Sequence, residues 1–253
     1  MSRWQNRLSQ DDRENACGAS LATPCWMDIR ISLMTLLLAV VVYASDMPMT
    51  VGQVVAGAPG HVQVTNISGQ AVTAWSLAVI TRPDTGRTHR EVYTADAYLS
   101  EATHGLPGSS ERLERLLPGQ ARQLPLDPLP SGATVEVVAV VLDDGTAVGD
   151  EQVITPIFAR RVKERDALRA VVDSFNDVLA ATRGAAALDA LRERFTALAL
   201  RDESVPCRAA LDAVQTYARD ANPNEIDQAL RTYAAFVTRE YELAAKHSRR
   251  KPS

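Results

Sequence analysis

The sequence predicts an α+β protein with segregated halves: an immunoglobulin-like antiparallel β-sandwich first, then an α-helical bundle or array. Three observations carry this. Short β-branched runs separated by turn residues fill the region from about 50 to 147. From 150 to 247 apolar residues recur instead at helical spacing. Between the two, Ala133–Glu151 runs as a strand, turns at Asp144-Gly145 and passes into the helical pattern at Gly149-Asp150.

With 253 residues, 46% hydrophobic and 23% charged, the chain is large enough for one large or two small cores and ordinary enough to fold. The net charge of −4 gives no reason to expect nucleic acid as a partner. Its distribution says more: Ser45–Thr146 holds 6 Lys/Arg against 11 Asp/Glu, and Ala147–Ser253 holds 17 against 16. The β half is acidic, and the helical half is neutral but densely charged, as expected of solvated helix faces.

Ahead of the sandwich, Ile31–Ala44 is a 14-residue run without a charge, preceded by Arg30. A membrane span needs about 20 apolar residues, so the run fits the h-region of a signal peptide, with residues 1–44 as the signal segment. Val42 and Ala44 suit the −3 and −1 positions, which places cleavage between Ala44 and Ser45. A start at Met27 would shorten the polar n-region to Met-Asp-Ile-Arg and leave residues 1–26 untranslated. The expected location is periplasmic or extracellular. The alternative is an uncleaved inner-membrane anchor, the one route by which this chain would touch a membrane. Cys17 and Cys25 precede the run, so the mature chain would keep Cys207 as its sole thiol and form no internal disulfide.

Within the β half, His61–Asn66 alternates, Ile67–Gln70 reads as a turn, and Ala71–Arg82 is long enough to cross a whole sandwich. Apolar residues on both its sides predict a central strand: Trp75, Leu77 and Val79 on one, Val72, Ala74, Ala78 and Ile80 on the other. Pro83–Gly86 is a turn, Arg87–Tyr93 a strand, and Ala95–Pro118 is irregular with a short helical turn at Ser110–Leu117. Gln120–Leu126 and Ala133–Asp143 follow as strands around the loop Asp127–Gly132. In the last strand, simple alternation sends Val135, Val137, Ala139 and Val141 one way and Val138, Val140 and Leu142 the other.

In the helical half, Pro156 either takes the first position of a helix or kinks an earlier turn. Arg183-Gly184 stops that helix, Leu188–Leu198 makes a second, and Pro206 opens a third. Asn222-Pro223-Asn224-Glu225 predicts a capping box, with Asn222 as N-cap and Glu225 at N3, before a fourth helix. Residues 248–253 form a basic tail expected to be solvated and frayed.

Val62–Ser68 leading into Ala74-Trp75, then Leu117-Pro118-Gly119, then Val135–Glu151 with its Asp-Gly-Thr and Gly-Asp-Glu close, carry a resemblance. The region from about 54 to 180 resembles a group of uncharacterised exported bacterial proteins, in which an immunoglobulin-like sandwich precedes Arg- and Ala-rich helices. The resemblance implies a fold and a location and no activity.

No nucleotide, metal or nucleophile motif stands out, and no cofactor is expected. Asp143, Asp144, Asp150 and Glu151 invite a calcium reading, but their spacing departs from the EF-hand loop. The Asp-Gly hairpin turn and acidic residues at a helix start explain them better. The four histidines, 61, 89, 104 and 247, are scattered. Asn66-Ile67-Ser68 fits a glycosylation sequon. The expected function is therefore non-enzymatic, binding an unknown protein or cell-envelope partner. The rivals are a structural spacer and a periplasmic hydrolase with Asp96, Glu101 and His104 in the 95–117 loop.

Overall fold

A computed structural model describes residues 8–9, 47–82, 86–103, 114–126, 128–202 and 204–252. All of the signal segment except Leu8–Ser9, with its Ala44/Ser45 junction and the Met27 start, lies outside the described residues, as do His104 and residues 83–85.

The strands are β1 (Leu8–Ser9), β2 (Met49–Val55), β3 (His61–Asn66), β4 (Val72–Thr81), β5 (His89–Asp96), β6 (Ala121–Pro125), β7 (Thr134–Leu142) and β8 (Ala147–Gly149). They form two antiparallel sheets, β1-β5-β4-β7-β8 and β2-β3-β6. Strand β2 was not anticipated: Met49–Val55 holds a Gly and a Gln, and a shift in its register with β3 breaks the alternation. One core joins the sheets, with Val62, Val64 and Leu124 from the smaller and Trp75, Leu77, Val135 and Val140 from the larger.

The four long helices are α2 (Glu151–Ala181), α3 (Gly184–Arg201), α4 (Val205–Asp220) and α5 (Ile226–His247), after a single turn α1 (Ser100–Thr103). They share a second core around Leu168, Val171, Phe175, Leu191, Phe195, Val214 and Leu230. Phe175 sits between Phe195 and Tyr233, with ring centroids 5.1 and 5.8 Å away, a spacing at which aromatic edges and faces attract. The two halves of the prediction, sheets then helices, stand.

Several local expectations change. Of the two readings at Pro156 the longer helix forms: α2 begins at Glu151, at the expected Gly149-Asp150 boundary, where the Asp150 carboxylate accepts from the Gln152 N–H and caps it. Pro156 is then inside the helix, in its second turn, where it cannot donate to the Gln152 carbonyl. The capping box at Asn222–Glu225 does not form. Asn222 instead closes a turn, its side-chain oxygen accepting from the Asn224 N–H at 3.1 Å and its carbonyl from the Glu225 N–H, and α5 starts after it. The described part of Ser110–Leu117 holds no helical turn; Leu116 bridges to Val72 through paired backbone hydrogen bonds.

The larger departure concerns which side chains face which layer. Strands β4 and β7 carry two bulges. Thr73 is the extra residue between Val72 and Ala74, and Val138 the extra one between Val137 and Ala139. Each bulge flips the alternation beyond it. Val72 therefore joins Trp75 in the sandwich core, and Val135 shares that core with Val140 and Leu142. Ala74, Ala139 and Val141 face outward, where Ile154, Ile157 and Phe158 of α2 cover them. The small side chains on the sheet let the first turns of the helix come close. Burial on both faces is what makes eight consecutive residues of β4 solvent-inaccessible, as the apolar content of that strand predicted.

Candidate functional site

Charged and polar side chains collect where the sheet, α2 and the end of α5 meet. Arg161, on the α2 face turned to the sheet, is fully buried. A guanidinium there is tolerated because each of its three nitrogens donates to a buried acceptor. Its Nε and Nη2 fork onto the Asp96 carboxylate at 3.0 and 2.7 Å. Nη2 also donates to the Thr73 hydroxyl at 3.1 Å, and Nη1 to the His247 carbonyl oxygen at 3.1 Å. Arg160 adds a bond at 2.6 Å to the same Asp96 Oδ2. The Arg161 guanidinium also lies 4.8 Å from the Tyr98 ring centroid, a cation–π distance.

Both bulges serve this joint. The first turns Thr73 toward Arg161, and the second leaves the Val138 carbonyl free to accept the Asp150 N–H at 2.7 Å, seating the helix cap on the sheet. Gly149 makes the close approach feasible: a Cβ there would collide with the Val138 carbonyl, and its φ is +121°.

Next to this fork, the Tyr98 hydroxyl donates to Glu164 at 2.6 Å. Burial, with the Glu164 and Asp96 charges adding to it, holds the Tyr98 phenol well above the usual range. Glu240 on α5 faces Glu164, and burial together with that like charge raises its carboxyl to about 7. The His247 imidazole is 1% exposed, and burial, reinforced by the Lys246 and Arg161 charges, lowers it to about 4. Asp143 lies 3.7 Å from its Nε2, while the buried Nδ1 has no partner among the described residues.

A strap closes the outer side of the joint. The tail after α5 is docked, not frayed, through Ser248–Lys251. The Lys251 N–H donates to the Gly145 carbonyl at 3.0 Å. Lys251 reaches Asp144 at 2.9 Å, Lys246 reaches Asp143 at 2.8 Å, and Arg250 forks onto Glu151. The acidic cluster that invited a calcium reading is thus filled by this chain's own ammonium and guanidinium groups. Among the described residues no group of three or more His, Cys, Asp or Glu could hold a metal ion.

The other anticipated residues do not converge. Asp96 is spent on Arg160 and Arg161, and Glu101 is paired with Arg115. Asn66 is fully buried, its amide N–H groups bonded to the Gln70 and Leu116 carbonyls and its oxygen accepting from Ser68. A sequon asparagine held in this way is closed to glycosylation in the fold. Cys207 is 1% exposed and burial raises its thiol, the opposite of an activated nucleophile. It borders a groove of about 410 Å³ between α2 and the α3–α4 hairpin, lined also by Val162, Lys163, Asp166, Leu198 and Asp202.

Sequence reading missed Arg161, Tyr98 and Glu240. Arg161 left one usable signal: it sits in phase with the apolar stripe Ile154, Ile157, Phe158 and Leu168, where a charge implies a buried partner. Comparisons with protein-family models, curated proteins and solved structures found no match.

Proposed function

We propose that this chain is an exported, non-catalytic protein that binds a protein or cell-envelope partner through one end of an immunoglobulin-like sandwich. The observation that carries the binding reading is a pinned apolar end. Ile67 is 60% exposed and Leu117 41%, on two loops both tied to the buried Asn66 amide. A rigid turn that displays a large aliphatic side chain costs little ordering entropy on binding and removes apolar surface from water.

Strand order supports the immunoglobulin-like reading. Counting from β2, the first, second and fifth strands make one sheet, and the fourth, third, sixth and seventh make the other. The third, β4, carries the buried Trp75, the position such sandwiches favour for tryptophan, here without a disulfide beside it. Export rests on the Arg30 and Ile31–Ala44 pattern and on the resemblance to exported bacterial proteins. Among the described residues no helix is long and apolar enough to cross a membrane.

The test is cross-linking and recovery from the native envelope with the full chain and with Ile67→Glu/Leu117→Glu. The expected outcome is a partner recovered by the first and at least tenfold less by the second, at an unchanged thermal midpoint. Equal recovery by both would reject this face. Amino-terminal sequencing of the envelope form checks export, with Ser45 as the expected first residue.

A further inference from the structure

We propose that the carboxyl-terminal strap, Ser248–Lys251, is a releasable ionic latch that couples the helical bundle to the sandwich. This does not rest on the binding reading above. The geometry separates it from the permanent part of the joint. Arg161 and Asp96 are buried, whereas the ion pairs at and beside the strap, Lys251 with Asp144 and Lys246 with Asp143, lie at the surface, with those four side chains between 30% and 59% exposed. Surface pairs are weak singly and screened by salt, so a segment held mainly by them opens without unfolding what lies beneath.

The strap is nonetheless fitted to its seat. The Arg249 carbonyl oxygen lies so near Gly145 that a Cβ there would meet it at 2.5 Å, and Gly145 has φ +86°. The Arg250 guanidinium lies 6.0 Å from the Phe158 ring centroid. Closed, the strap shields the outer edge of the helix-on-sheet core. Open, it uncovers Phe158 and the Asp143–Gly145 turn and frees the last turn of α5. It reaches three places at once: the β7–β8 turn through Asp144 and Gly145, the α2 start through Glu151, and mid-α2 through Arg165, which donates to Ser248.

Hydrogen exchange by mass spectrometry on the full chain, at about 0.05 and 1 M NaCl, tests this. In the latch reading, peptides covering residues 139–150 and 244–252 exchange together, about tenfold faster at high salt, while peptides around Phe175 and Phe195 stay unchanged. Arg250→Glu makes the fast behaviour present at low salt, and Glu151→Lys/Arg250→Glu restores protection by reversing the pair. A chain ending at Ser248 shows residues 139–150 already fast at low salt. The proposal is overturned if the wild-type tail exchanges at the unprotected rate at low salt, if its protection ignores salt, or if the truncated chain protects residues 139–150 as the full chain does.

Discussion

Two joints hold the same two halves, and they are built on opposite principles. At the inner one, Arg161 and Asp96 are 0% and 5% exposed and every nitrogen of the guanidinium donates a hydrogen bond. At the outer one, flexible Lys and Arg side chains meet carboxylates in water. The inner joint gains little from being charged, since desolvation offsets the attraction, but it is severe to break, because either partner left alone is a buried unpaired ion. The outer joint is easy to break and easy to remake. One sets the geometry of the molecule and the other tunes it.

This contrast can be broken at either side. The largest effect is expected from Asp96→Ala, which strands Arg161 in the interior and lowers the stability measured by urea unfolding by about 3–5 kcal/mol. Asp96→Leu with Arg161→Met removes both charges and recovers most of that loss. If the single substitution costs no more than an exposed pair, the inner joint is not what holds the halves.

The next effect is a pH dependence. The His247 imidazole is lowered from its usual 6.5 to about 4, so as pH falls below 6.5 the unfolded chain takes up the proton first. Its contribution to stability is complete above pH 6.5 and is lost progressively toward pH 4. Glu240, raised to about 7, works in the other direction: its burial costs stability above pH 7, and that cost is relieved as pH falls toward 4.5. In Glu240→Gln the opposing titration is gone, and stability falls by about 2–3 kcal/mol between pH 6.5 and 4.5. A flat profile in that variant would mean that His247 is not buried neutral.

Smaller still is Gly145→Ala, which meets both a left-handed backbone and the Arg249 carbonyl. It is expected to lower stability by about 1–2 kcal/mol and to free the strap, read as faster amide exchange at Lys251. The smallest is Lys251→Ala, expected to lower the thermal midpoint by about 1–2 °C at low salt and by nothing measurable in 1 M NaCl.

Much of this was written locally in the chain. The alternation in His61–Asn66, the length and two-sided apolarity of β4, the Asp-Gly hairpin turn and the stripes of α2 and α5 are properties of neighbouring residues, and the strands and helices follow them. The acidic turn and the basic tail were both visible too. Their pairing was not, because Asp144 and Lys251 are 107 residues apart and nothing local relates them. Alternation likewise misassigned the faces of β7, since a bulge leaves no local mark in a run of valines.

What the sequence determined by itself was therefore the strands-then-helices order and most of the elements, through periodicity and turn chemistry, which act over a few residues. What only the tertiary structure decided was how those elements are used. Two bulges turned Thr73 and the Val138 carbonyl toward α2, and an arginine within an apolar stripe found its carboxylate at the end of β5. The tail came back to the acidic Asp143–Gly145 turn. Desolvation is the physical reason: a charge or a bare carbonyl at the joint becomes costly only once the two halves close over it, and only then is its partner chosen.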